Sequence, residues 1–121
     1  MAWVLIMEDE AQVRVLAEEI LKEAGHQTLS AANVPEALAL LRAYELINVL
    51  FADIRLEDHG PDGIELARQA VAMRPKLKVL YTTGADVTDG TKALFVQNSA
   101  FLPKPYTPTQ LIQAVGTLLP N

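Results

Sequence analysis

The run Val49-Leu50-Phe51-Ala52-Asp53 constrains this chain more than any other stretch: four apolar residues in succession, without polar alternation, stop at a carboxylate. A strand with one wet face alternates. A short unbroken apolar run fits a strand covered by helices on both faces, as in a parallel sheet. Asp53 then stands at the carboxyl end of that strand. In open α/β sheets ligands bind along that edge, so the acid is presented to chemistry while the core holds its backbone. Aspartate also opens turns in its own right, and the other strands have to decide between the two readings.

Trp3-Val4-Leu5-Ile6-Met7 is a second such run, and it too ends in acid, at Glu8-Asp9-Glu10. The segment behind it places Val13, Leu16, Ala17, Ile20, Leu21 and Ala24 on one helical face and stops at Gly25. Gln27 to Ala31 reads as a short strand. Asn33-Val34-Pro35-Glu36 then opens a helix to about Tyr44, with Asn33 as cap, Glu36 reaching back to it, and Ala37, Leu38, Leu40 and Leu41 toward the core.

After Asp53 an irregular loop, Ile54 to Pro61, leads to Asp62-Gly63, which opens a helix ending near Arg74-Pro75. Lys78-Val79-Leu80-Tyr81-Thr82 is a fourth strand, and Thr83-Gly84 leaves its carboxyl end. The next helix is the weakest, because Gly84, Val87, Thr88, Gly90 and Thr91 disfavour it. Helix is expected only from about Lys92 to Asn98, and the segment is expected to be short or mobile. Ala100-Phe101-Leu102 is a brief fifth strand ending at Pro103-Lys104-Pro105. Thr107-Pro108-Thr109-Gln110 supplies cap, N1 proline and capping-box partner for a last helix striped by Leu111, Val115 and Leu118.

Five βα units in succession predict one α/β domain over residues 1–121: a (βα)5 doubly wound, five-stranded parallel sheet in the common strand order 2-1-3-4-5. A chain of 121 residues buries roughly two-thirds of its unfolded surface in one core. The absence of cysteine removes disulfides and thiolate chemistry and fits a reducing compartment, so a cytoplasmic protein is expected. No signal peptide or membrane span is read in the sequence. A net charge of −5 without a Lys/Arg cluster argues against nucleic acid as partner. No output domain is expected on this chain.

In that strand order, strands one and three are neighbours and bring Glu8, Asp9 and Asp53 into one crevice. Two unit charges about 4 Å apart at an effective dielectric near 20 repel by about 4 kcal/mol. Three carboxylates therefore need a counter-charge, and a hard divalent cation such as Mg2+ takes oxygen ligands in a shallow site. A helix-start acidic pair is the plainer account of Glu8-Asp9 alone. Strands four and five add Thr83 and Lys104 to the same edge, each commonplace singly. Together with the acids they make an anion site over a metal, as phosphoryl transfer requires. Asp53 is then the nucleophile, forming an acyl phosphate.

With Glu8-Asp9, Asp53, Thr83-Gly84 and Lys104-Pro105-Tyr106 in order at fitting spacing, the chain resembles a response-regulator receiver domain of two-component signalling, CheY-like in fold, over its whole length. The resemblance implies that Asp53 accepts a phosphoryl group from a phosphohistidine on a histidine kinase or histidine phosphotransfer protein. It implies Mg2+ bound by Asp9, Asp53 and the Arg55 backbone carbonyl with help from Glu8, and phosphoryl oxygens held by Thr83 and Lys104. It implies a cis Lys104-Pro105 peptide and Phe101 at the switch-aromatic position. A downstream effector is expected on the face formed by the fourth helix, fifth strand and fifth helix.

The loop after Asp53 departs from the family pattern, since Leu56 is followed by Glu57 and Asp58-His59-Gly60-Pro61 lengthens it. His59 is read as a solvated loop residue rather than a ligand, and His26 as structural or exposed. Thr83 rather than Thr82 is taken as the hydroxyl donor, because the family places it before a small residue. Two other functions compete with the signalling switch. A haloacid-dehalogenase-type hydrolase also uses a strand-end Asp, but wants a second acid two residues later, where this chain has Arg55. A pseudo-receiver that binds partners without phosphorylation does not account for a full set of site groups.

Overall fold

The structure is a computed structural model that describes residues 1–54 and 62–120. Its elements alternate strictly: β1 (Trp3–Met7), α1 (Ala11–Glu23), β2 (Gln27–Ala31), α2 (Val34–Ala43), β3 (Val49–Asp53), α3 (Gly63–Met73), β4 (Lys78–Thr83), α4 (Asp89–Lys92), β5 (Ala100–Pro103) and α5 (Pro108–Leu118). All five strands pair in parallel in the order β2-β1-β3-β4-β5. The doubly wound fold expected from the sequence is the fold observed. Every residue of β3 is buried, which is why its sequence shows no alternation.

Alternate residues of each strand feed two cores. Leu5, Met7, Leu50, Ala52, Val79 and Tyr81 pack against α2 and α3, while Val4, Ile6, Val49, Phe51 and Leu80 pack against α1 and α5. The helix ends follow local chemistry. Gly25 takes φ +95°, and its N–H and that of His26 close on the carbonyls of Lys22 and Leu21, a Schellman stop for α1. Asn33 caps α2 through the Glu36 N–H. Glu36 reaches back, but to the Ala32 N–H and the Asn33 side-chain amide rather than to the Asn33 backbone. Thr107 and Gln110 form the full capping box of α5. His26 is structural: its Nδ1 accepts the Ala2 N–H at 2.9 Å.

Two expectations change, the buried face of α1 and the extent of the fourth helix. Leu16, placed on the core face of α1, is 55% exposed, and Ala24 is exposed as well, because the buried stripe is the narrower Ala17, Ile20, Leu21 set. Leu16 instead sits at the rim of the α1–α5 groove with Pro108 and Ile112. The fourth helix is Asp89–Lys92, not Lys92 to Asn98. It begins where the Thr88 hydroxyl accepts the Thr91 N–H, and the chain beyond it turns to carry Phe95 onto Tyr81. Arg55, His59 and the Glu57 to Pro61 loop lie outside the described residues. No helix among the described residues is long and apolar enough to cross a membrane.

Candidate functional site

The parallel register aligns the carboxyl ends of β1, β3, β4 and β5 along one edge, and the chemistry-bearing residues follow from it. Met7 pairs with Ala52, so Glu8 and Asp53 continue the same row; Asp53 in turn pairs with Thr82, and Thr83 with Pro103. Carboxylate oxygens of Glu8, Asp9 and Asp53 lie within 4.8 Å of one another. Glu8 and Asp53 are each only 4% exposed. Desolvation and mutual repulsion at this depth demand a positive partner.

Lys104 supplies it. Its Nζ donates to Glu8 Oε1 at 2.6 Å and to Asp53 Oδ2 at 2.8 Å, bridging two strands on either side of the winding reversal. Burial opposes the ammonium, but the hydrogen bonds to Asp53 and Glu8 outweigh it and hold the Lys104 pKa above its ordinary value. Burial pushes the Glu8 carboxyl up to about 7, with Asp53 acting in the same direction and the Lys104 hydrogen bond against it. Glu8 also accepts the Glu10 N–H through Oε2, which turns its side chain into the crevice rather than along the helix start. Its carbonyl receives Arg14 Nη1 at 2.9 Å, fixing the β1–α1 turn.

Oxygen-only donors, within reach of one another, fit a hard divalent cation such as Mg2+. Of the metal ligands expected, the structure brings together Glu8, Asp9 and Asp53; the Arg55 carbonyl lies outside the described residues. Thr83 is 3% exposed, its Oγ1 accepts the Ala85 N–H at 3.3 Å, and its carbonyl accepts the Lys104 N–H at 3.0 Å. Thr82 shares the sheet face of Asp53, and its buried Oγ1 has no hydrogen-bond partner among the described residues. The Lys104-Pro105 peptide is cis, as expected. Tyr106 lays its ring edge-on to Phe51 at 5.8 Å. Burial, together with the Glu8 carboxylate, pushes the Tyr106 phenol up to about 12.

Gly63 is the site residue that sequence reasoning missed. It was read only as a helix opener, yet a Cβ there would lie 2.3 Å from the Asp53 carbonyl oxygen and 2.8 Å from its carbonyl carbon, both backbone atoms. The start of α3 thus presses directly on the acid's own backbone, with Asp62 capping from the side through the Ile64 and Glu65 N–H groups. Asp-Gly after an acidic strand end was the visible signal. Gly63→Ala is expected to cost about 2 kcal/mol, the scale of an overpacked core, and to shift the amide resonances of Asp53 and Ile54. Urea denaturation and an amide spectrum check this; a variant as stable as the parent would mean the α3 start yields freely.

The chain matches the family described as "Response regulator receiver domain" over residues 4–116. It is 30% identical over 112 residues to the C4-dicarboxylate transport transcriptional regulatory protein DctD of Rhizobium meliloti, covering 92% of this chain and 24% of that protein. It is 28% identical over 121 residues to the transcriptional regulatory protein AruR of Pseudomonas aeruginosa, covering 96% of this chain and 48% of that one. The chain therefore spans less than half the length of these two relatives. Among solved structures, a response regulator receiver protein from Sinorhizobium medicae superposes with a TM-score of 0.87 at 30% identity, covering 97% of this chain and 93% of that one.

Proposed function

Because this chain belongs to the response regulator receiver domain family, we propose that it is a phosphoryl-accepting signalling switch whose acceptor is Asp53. The observation that carries this reading is the Lys104 bridge: one ammonium held by both Glu8 and Asp53 at the carboxyl edge of β3. Such a bridge fixes the Asp53 carboxylate oxygen in position, and it leaves a cation in place for the oxygens of an incoming group.

In the reaction, an Asp53 carboxylate oxygen attacks phosphorus of a partner's phosphohistidine. The N–P bond breaks, the O–P bond of an acyl phosphate forms, and the imidazole leaves with the electron pair. Lys104 moves its hydrogen bond from Asp53 Oδ2 to a phosphoryl oxygen. The Thr83 hydroxyl, now an acceptor from Ala85, turns to donate to another. Asp9, Asp53 and Glu8 would hold a Mg2+ ion, which would supply the positive charge that a dianionic group needs to approach three carboxylates. Histidine kinases or histidine phosphotransfer proteins are the donors this chemistry fits. The α4-β5-α5 face is the surface we assign to a downstream effector, in the cytoplasm. Hydrolysis by a dehalogenase-type acid at residue 55 finds no carboxylate there.

Transfer is expected to stop in excess EDTA, and Asp9→Ala is expected to weaken Mg2+ binding and slow transfer more than Glu8→Ala, in keeping with Asp9 as a metal ligand and Glu8 as its helper. Calorimetric titration with Mg2+ and intact mass after incubation with acetyl phosphate measure both. Undiminished phosphorylation in EDTA would defeat the metal requirement.

A further inference from the structure

The segment between β4 and β5 meets β4 at Tyr81, through Phe95 and Val96, and at Thr83, through Ala85. No residue of α4 is buried, and Leu94 beside it is 64% exposed. Tyr81, by contrast, is 0% exposed and lies two residues before Thr83 on the same sheet face. Its hydroxyl accepts the Val96 N–H at 3.0 Å, and its ring stacks on Phe95 with centroids 4.1 Å apart at 21°. Phe95 in turn lies 6.2 Å from Phe101, the register partner of Tyr81 on β5. Ser99 Oγ ties back to the Val96 carbonyl at 2.8 Å, and Asn98 takes φ +62° to close the turn. On the outer side, α3 and residues 94–98 line an open groove of about 580 Å³.

We propose that Tyr81 is a latch: its hydroxyl on Val96 and its ring on Phe95 hold the α4–β5 connection in the unphosphorylated arrangement. The latch thereby sets the threshold at which a phosphoryl group on Asp53 rearranges Phe101, a role that rests on the phosphoacceptor reading above. Phe95 stacks on Tyr81 and also lies beside Phe101, so a displacement of the Phe101 ring is felt at Phe95, and Phe95 is fixed by the residue next to it in sequence, Val96. Tyr81 acts through other groups and touches no reacting atom; it is a positioning residue. A bond made in only one of two states shifts the equilibrium by its own differential strength, and the ligand that favours the other state binds more tightly when that bond is cut.

The test compares the parent chain with Tyr81→Phe, which keeps the ring and removes the hydroxyl, and with Phe95→Leu, which keeps the hydroxyl and removes the stack. Amide hydrogen exchange is followed in the unphosphorylated proteins, and beryllofluoride with Mg2+ is titrated as the phosphoryl mimic. In Tyr81→Phe, exchange at residues 93–99 should quicken roughly fivefold, with the rest of the sheet unchanged, and half-saturation by beryllofluoride should fall by about the same factor, as expected for one net hydrogen bond. Phe95→Leu should move both readouts in the same direction. Unchanged exchange at Val96 overturns the latch. Faster exchange spread over β1 and β3 also overturns it, as general loosening. Faster local exchange with unchanged beryllofluoride affinity overturns the threshold. If no protein, parent included, takes beryllofluoride, the phosphoacceptor reading fails instead, and exchange at Val96 still decides whether Tyr81 holds the connection.

Discussion

Asp53→Asn is expected to abolish phosphoryl uptake completely: incubated with acetyl phosphate and Mg2+, the variant should keep its mass while the parent gains one phosphoryl group. The reason is chemical rather than structural. An amide oxygen cannot form an acyl phosphate, whereas it can still accept a hydrogen bond, so the 2.8 Å contact from Lys104 Nζ has a neutral replacement. The substitution also removes one negative charge from a cluster whose oxygens lie within 4.8 Å. Repulsion between such charges costs several kcal/mol at protein-like dielectrics. The variant should therefore fold at least as stably as the parent, which separates loss of the acceptor from loss of the fold. Phosphoryl label on Asp53→Asn, or a modified peptide carrying Asp9 in the parent, would remove Asp53 from its role.

Lys104→Met carries the second large effect, this time on stability. The side chain keeps its length and loses its charge, removing the ammonium to which both Glu8 and Asp53, each 4% exposed, are bonded. Removing one partner of a buried ion pair typically costs about 3 kcal/mol. A loss of that size is expected in metal-free buffer, read as a lowered urea midpoint. Mg2+ should narrow the gap, because an ion that binds the native pocket and not the unfolded chain stabilises by mass action. The same titration on the parent should raise the midpoint less, since Lys104 already neutralises part of the pocket. A Lys104→Met chain as stable as the parent without metal would mean that the two carboxylates find other neutralisation. A gap that Mg2+ leaves untouched would mean that the pocket does not hold the ion.

The two variants divide the labour of the pocket between reactivity and assembly, and the Tyr81 latch extends it toward the surface. Thr83 links the halves: its carbonyl is bonded to the Lys104 N–H, and it follows Tyr81 by one strand repeat. A pull on the Thr83 hydroxyl therefore acts on β4 at the point where the weakly held α4–β5 connection departs.

What the sequence determined by itself were local properties. Buried strands announce themselves by unbroken apolar runs because both faces are covered, and helix ends by caps such as Asn33, Thr107 and Gly25, whose partners lie within a few residues. The assembly of Glu8, Asp9 and Asp53 was legible too, since once the strands are parallel every carboxyl end falls on one edge, whatever the details of packing. Tertiary structure decided what depends on distances between remote segments. Lys104 closes on Glu8 and Asp53 across 96 and 51 residues of chain, a bidentate bridge that residue types at strand ends do not specify. Gly63 is needed because the α3 start meets the Asp53 backbone, and Tyr81 matters because Val96 and Phe95 fold back onto it. Leu16 has core chemistry but lies outside the buried stripe, since periodicity gives the direction of a helical face and not the width of the surface that covers it.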